Sequence, residues 1–243
     1  MIALAQIMVA DSLVEENVRQ HSVAISTAAR HGAKLVIFPE LSLHGYVLES
    51  AKHMSRDDKT KEAIAQLHKL AIKHDLTAVV GAFIEDNDQC YISSFILGEA
   101  SGIRVYYKQF LHAGEEQYIS AGSQNVVLTI NGLKIGLGIC ADFTEPNFFD
   151  SYRDDNVDLL LMSVLISAKG YGKDLDILTK QSNLTPIAFA NFVGKSGGWD
   201  CCGRSTLLHL GQKLVSVGDE EQLIFIDVKH GFENITSHVL RIE

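Results

Sequence analysis

The chain has 243 residues, 47% of them hydrophobic and 21% charged, which is enough apolar material for a sizeable buried core. A formal net charge of −9, with no cluster of Lys and Arg, argues against a nucleic acid or an anionic membrane surface as partner. No apolar run reaches the ~18 residues of a membrane span, and four cysteines without CxxC or metal-ligand spacing fit free thiols in a reducing cytoplasm.

The opening MIALAQIMVADSLVEEN lacks a basic leader and reads as a first strand rather than a signal peptide. EENVRQHSVAISTAARHG has helical period and stops at Gly32, KLVIFPE is a second strand, and KTKEAIAQLHKLAIKHD is a helix with Ile64, Leu67, His68, Ala71 and Ile72 on one face. LTAVVGAFIE is a third strand, so the first third of the chain alternates strand and helix. CYISSFILGEASGIRVYYK then reads as a hairpin turning at EASG, and NVVLTINGLKIGLGIC as another turning at Asn131-Gly132. Two hairpins make the sheets mixed rather than wholly parallel.

The opening order recurs after Cys140. PNFFDSYRDDNV is a short helix, DLLLMSVLI a strand, DLDILTKQSNL a helix and IAFANFVG a strand, followed by strands in RSTLLHLGQKLVSVG and EQLIFIDV. AKLVIFPE and VDLLLMSV occupy equivalent places in the two halves. The expectation is an α/β fold of two mixed sheets face to face with helices outside, a four-layer α-β-β-α sandwich. With no Pro/Gly/Ser-rich linker, residues 1–243 are read as a single domain.

Three polar residues stand where a strand gives way to a loop: Glu40 after LVIFP, Lys108 after IRVYY and Cys140 after KIGLGI. Ligands of α/β sheets gather outside the carboxyl ends of strands. Each residue alone has a structural reading: a capping carboxylate, a solvated ammonium, a core thiol. Together they are chemically complementary. A buried carboxylate can take a thiol proton, and an ammonium can hold the negative oxygen of a tetrahedral intermediate. The ten histidines show no metal pattern, SGGW lacks the Lys-Ser/Thr of a phosphate loop, and no G-x-S-x-G elbow is present. His21, His31, His68 and His74 are read as solvated, His112 as peripheral, and Cys201 and Cys202 as loop bystanders.

FPELSLHGY, YYKQFLHAGEEQY and GICADFTEP resemble, in order, the three signature regions of the nitrilase (carbon–nitrogen hydrolase) superfamily. ALAQI, VDLLLMSV, AFANFVG and GGWDCCGRS extend the resemblance over nearly the whole chain. It implies the four-layer sandwich and an amidase-like, cofactor-free and metal-free hydrolase of non-peptide C–N bonds acting through a cysteine thioester. Carried onto this sequence, it makes Glu40 the base, Cys140 the nucleophile and Lys108, with the Ala141 N–H, the holder of the oxyanion. A second glutamate comes from HAGEEQY, where Glu116 is preferred over Glu115 for catalysis and Glu115 is assigned to substrate binding. Tyr46 and Leu165 are pocket-wall residues, and Asn191 is scaffold. Ala141 stands where many members carry an aromatic residue, which implies either a wider pocket there or a wall supplied from elsewhere. The implied partner is a small molecule (an amide, a ureido compound or a nitrile) in a cytoplasmic homodimer or higher homo-oligomer. Two other readings remain open here: a non-catalytic metabolite- or protein-binding member, and an acyltransferase using the same residues.

Overall fold

A computed structural model describes residues 1–228, 231–232 and 235–242. Its first half runs β1 (Ile2–Gln6), α1 (Val14–Arg30), β2 (Leu35–Ile37), α2 (Ala51–Arg56), α3 (Asp58–Lys73), β3 (Thr77–Asp86), β4 (Gln89–Leu97) and β5 (Arg104–Tyr107). The second half runs β6 (Val127–Ile130), β7 (Leu133–Ile139), α4 (Pro146–Asp154), β8 (Leu159–Val164), α5 (Tyr171–Gln181) and β9 (Ile187–Asn191). It closes with β10 (Val193–Ser196), β11 (Trp199–Cys202), β12 (Thr206–His209), β13 (Gln212–Ser216), β14 (Gln222–Asp227) and β15 (Thr236–Arg241).

Among the described residues, these strands form a seven-stranded sheet, β15-β14-β1-β2-β3-β4-β5, and a six-stranded sheet, β13-β12-β9-β8-β7-β6. In the first, β1, β2 and β3 are parallel; in the second, β7, β8 and β9 are. Antiparallel strands flank each parallel triple, so β2 and β8 are the middle strands of matching halves, as the AKLVIFPE and VDLLLMSV pairing anticipated. The fold is the α-β-β-α sandwich.

Alternation along the strands builds the layers. Ile2 and Leu4 of β1, Leu35 and Ile37 of β2 and Val79 of β3 belong to one core with Ile135, Leu137 and Ile139 of β7 and Leu161 of β8. Their neighbours Ala3, Ala5, Val36, Ala78 and Val80 point the other way, onto Val18, Ile25 and Ala28 of α1 and Ile64, Leu67 and Ala71 of α3. Ile72, expected on the buried stripe of α3, is 46% exposed, because the stripe runs through Ala63, Ile64, Leu67 and Ala71 and leaves it beyond the edge. On β7, a Cβ at Gly138 would stand 2.6 Å from Cζ of Phe148, so the small residues of GLGI are what let α4 lie against the strand.

Three further expectations are corrected. His21 is fully buried: its ring stacks on Phe38 at 4.2 Å, Nδ1 lies 2.6 Å from the Asn17 carbonyl and Nε2 2.9 Å from Ser42 Oγ. Burial depresses its pKa to about 4, so it is a neutral core residue. Cys201 and Cys202 lie in β11, which pairs with β10 as a separate hairpin, rather than in a loop. The chain also continues past EQLIFIDV into β15, an edge strand antiparallel to β14.

Candidate active site

The site begins with three chain turns at strand ends. After β2, Phe38 keeps the sheet's hydrogen bonding by donating to the Val79 carbonyl, and the chain folds tightly through Pro39–Gly45. Leu41 takes a positive φ of 51°, and Glu40 is 1% exposed. This turn passes so close to β3 that a Cβ on Gly81 would lie 2.4 Å from the Leu41 nitrogen and 2.6 Å from the Pro39 carbonyl oxygen. Lys108 directly follows β5, held by its N–H to the Ile92 carbonyl, and is completely buried. Cys140 ends β7 with φ of 40°, a left-handed value that a non-glycine residue adopts at a cost of ~1–3 kcal/mol. That bend starts a short 3₁₀ turn over Cys140–Thr144. The first N–H groups of such a turn, Ala141 included, have no partner within it.

Glu40 and Lys108 thus come from the seven-stranded sheet and Cys140 from the six-stranded one, and the three meet where the sheets face each other. Lys108 Nζ donates to Glu40 Oε1 and to Glu115 Oε1, both at 2.7 Å. Glu115 is saturated: Oε1 also accepts from the Tyr46 hydroxyl at 2.5 Å and Oε2 from the His112 N–H at 2.7 Å. Glu40 differs, since its Oε2 is buried without a hydrogen-bond partner among the described residues, and Cys140 neighbours the same carboxyl. The Cys140 thiol lies 3.5 Å from the Leu165 carbonyl oxygen.

Electrostatics follow from this packing. Burial pushes Glu40 up to about 7, against the pull of the Lys108 ammonium. Burial and the adjacent Glu40 charge hold the Cys140 thiol well above its ordinary value, so its proton stays on sulfur until a base takes it. For Lys108, burial favours the neutral amine, yet the surrounding Glu40, Cys140 and Glu115 reverse this and keep it an ammonium.

Asp142 ties two of the three turns together. It is fully buried, and its carboxylate accepts from the N–H groups of Gln109 (2.9 Å) and Phe110 (2.8 Å), just after Lys108. It also accepts from the Ile139 N–H (2.8 Å), just before Cys140, and from the Tyr106 hydroxyl (2.6 Å). Asn191 does similar work nearby: its side chain bonds Ile166 N–H and C=O at 2.8 and 3.0 Å and the Gly203 carbonyl at 2.8 Å, fixing the loop that carries Leu165.

The site can now be set beside known proteins. A carbon–nitrogen hydrolase family model matches residues 1–228. The chain belongs to that family. The 2-oxoglutaramate amidase of Bacillus subtilis is 24% identical over 220 residues, covering 88% of this chain and 84% of that one. A glutamine-dependent NAD(+) synthetase of Acinetobacter baylyi is 28% identical over 207 residues, 79% of this chain but 37% of that longer protein. The crystal structure of an amidase from Nesterenkonia sp. superposes with a TM-score of 0.83 at 25% identity, over 91% of this chain and 87% of that one.

In this carbon–nitrogen hydrolase, a cavity of about 270 Å³ is lined by Glu40, Tyr46, Cys140, Ala141 and Leu165, all anticipated as site residues. Lys108 lies behind this wall, reached through Glu40 and Glu115. Glu116, expected as the second glutamate, is exposed and turned away, its Oε2 accepting from the Gly114 N–H at 2.7 Å. Glu115 stands in its place: Gly114 (φ 97°) starts a 3₁₀ turn over Glu115–Gln117, and successive side chains of such a turn diverge by about 120°. His112 and Trp199, ring centroids 6.2 Å apart, also line the cavity, as do Phe143, Thr144 and, from the loop before α5 and its first turn, Ser167, Lys173 and Asp174. The sequence singles out none of these last three, although the stretch that holds them, LISAKGYGKD (165–174), is among the loops expected to shape the pocket. No helix among the described residues is long and apolar enough to cross a membrane, and none of their His, Cys, Asp and Glu side chains group into a metal-binding set.

Proposed function

We propose that the protein hydrolyses a non-peptide C–N bond of a small amide or ureido compound through a thioester on Cys140. The observation carrying this reading is the asymmetry of the two carboxylates: Glu115 is held by three donors, while Glu40 takes Lys108 on one oxygen, keeps the other buried without a hydrogen bond among the described residues, and neighbours the Cys140 thiol. One carboxylate is therefore fit to move a proton and the other to hold Lys108 still.

Glu40 takes the Sγ proton as sulfur attacks the carbonyl carbon. This needs a base, because burial leaves Cys140 no standing thiolate. The negative oxygen of the tetrahedral intermediate is held by the Lys108 ammonium and the Ala141 N–H, donors each worth on the order of 3–4 kcal/mol in a dry site. Collapse breaks the C–N bond, and the proton on Glu40 goes to the departing nitrogen, releasing ammonia and leaving the thioester. Glu40 then deprotonates a water that attacks the thioester carbon; the acid departs and sulfur regains its proton. A Glu40 pKa near 7 suits both halves, since the group must accept and return a proton at neutral pH. The names of the relatives, an amidase and a glutamine-dependent synthetase, support an amide as the class attacked.

The test is ammonia release over a panel of small amides, ureido acids and nitriles by the wild type and by Cys140→Ala. Release by the wild type and none by the variant, with unchanged far-UV circular dichroism, is expected. Undiminished release by Cys140→Ala would refute the thioester route.

A further inference from the structure

The cavity carries a second set of polar groups that the reaction does not use. Ser167 and Asp174 line it from the loop and first turn leading into α5. Asp174 Oδ2 lies 3.2 Å, and Ser167 Oγ 3.3 Å, from the point where a Cβ on Gly170 would stand. The two oxygens therefore flank the bare side of Gly170, within about 6.5 Å of each other, with no Gly170 side chain between them. Ser167 Oγ accepts one hydrogen bond, from the Gly170 N–H at 3.1 Å. Asp174 is half-buried, and no hydrogen bond or ion pair occupies its carboxylate among the described residues. Lys173 and His112 act on it only through space, and burial raises its pKa in spite of them. A carboxylate that loses water without gaining a partner is unfavourable for the empty protein, and a cationic ligand removes the penalty.

Beside this acceptor pair, Lys173 offers an exposed ammonium to the same cavity, likewise without an ion-pair partner among the described residues. Leu165, Phe143 and the Tyr46 ring give the same cavity apolar wall. At about 270 Å³ the space falls below the 300–1,000 Å³ usual for drug-sized ligands. An anion site, a cation site, a short apolar stretch and a nucleophile, in so small a volume, form the complement of a zwitterion with a short side chain.

We propose that the substrate is a small α-amino acid whose side chain ends in a carboxamide or ureido group, its α-ammonium held by Asp174 and Ser167 and its α-carboxylate by Lys173. This rests on the reading of Cys140 as the nucleophile and adds the substrate class. The α-ammonium is the distinguishing feature, because a keto or unsubstituted acid of the same length leaves Asp174 unpaired.

The experiment compares kcat/KM for L-asparagine, L-glutamine and L-citrulline with that for their des-amino counterparts, and with propionamide, which has neither charge. Rates are compared at equal concentrations of folded protein, with each variant checked by far-UV circular dichroism and thermal unfolding, so misfolded protein does not enter. The best amino acid is expected to exceed its des-amino counterpart about 10- to 100-fold, the range for one charge-assisted hydrogen-bonded contact. Asp174→Asn is expected to collapse that ratio towards unity, mainly through KM. Lys173→Ala is expected to weaken the amino acid and its des-amino acid alike, relative to propionamide. Equal or better use of the des-amino compounds by the wild type, or an unchanged ratio in Asp174→Asn, overturns the proposal while leaving the hydrolase reading intact. Ammonia from none of the panel, with no acyl group on Cys140, overturns both.

Discussion

Glu40 and Glu115 share one lysine, and the same residue type does different work in the two positions. Glu40, pushed to about 7 by burial, must be ionised to take the thiol proton, so acid disables it. The predicted pH profile of kcat/KM therefore falls as pH drops through about 7, approaching tenfold per unit below it, and Glu40→Gln loses both this limb and ~10²–10⁴-fold in rate. A profile flat from pH 5 to 8 in the wild type would show that another group sets the rate. Glu115→Gln weakens the anchoring of Lys108 and Tyr46, and a displacement of ~1 Å at such a group costs on the order of 10²-fold. Glu116→Gln is expected to stay within about twofold of wild type, because its carboxylate touches only the Gly114 N–H and solvent. Steady-state kinetics on the pair distinguishes them, and the reverse order would contradict the geometry. Glu40, Lys108 and Cys140 were legible because each sits at a strand end within a long signature stretch. The choice between Glu115 and Glu116 was not, since the rotation of a 3₁₀ turn is set by Gly114 and by Lys108, seven residues back. His21 misled for a related reason: helical period places it on a face, but only the docked sheet shows that Phe38 covers that face.

At the scale of elements, the site depends on turns that the strands hold in strained or crowded forms. Gly81 is the clearest case, because its missing side chain gives passage to backbone atoms of Pro39 and Leu41, which cannot rotate aside. Gly81→Ala is predicted to lower stability by ~1–3 kcal/mol, as overpacking does, and to cut activity further by shifting Glu40. Thermal unfolding with parallel kinetics checks this; a variant with normal Tm and normal kcat would mean the turn has room to move. Asp142 is the matching device on the other sheet, where one buried carboxylate takes four donors and binds the Lys108 and Cys140 turns into a unit. The strand and helix order was readable from period and turn chemistry. Among the helices α2 escaped, since the six residues Ala51–Arg56 are too few to show a period. Among the strands β15 escaped, whose TSHVLR is exposed at nearly every position and so has no alternation, as did the β10–β11 hairpin, most of whose central residues are exposed.

For the molecule as a whole, the two matching halves are not independent. The inter-sheet core draws on both, with Ile37 and Val79 from one and Ile139 and Leu161 from the other, and Glu40 and Lys108 are set apart from Cys140 in the same way. Chemical unfolding is accordingly predicted to follow one transition, with protection of the buried Cys202 from alkylation lost at the same denaturant midpoint as the circular dichroism signal. Two separated midpoints would show halves that stand alone. What the sequence could not convey at this scale is adjacency: Lys173 and Asp174 belong to no motif, and only the packing of α5 beside the end of β7 brings them to the cavity that Cys140 faces. The central claim is that Cys140 carries the acyl group during turnover. Acid quench during steady-state hydrolysis of the best substrate, followed by peptide mass spectrometry, tests it directly. The acyl mass is predicted on the peptide containing Cys140, absent from Cys140→Ala and discharged when the reaction runs to completion. An acyl group on Cys90, Cys201 or Cys202 instead, or steady turnover with Cys140 never modified, would contradict the account.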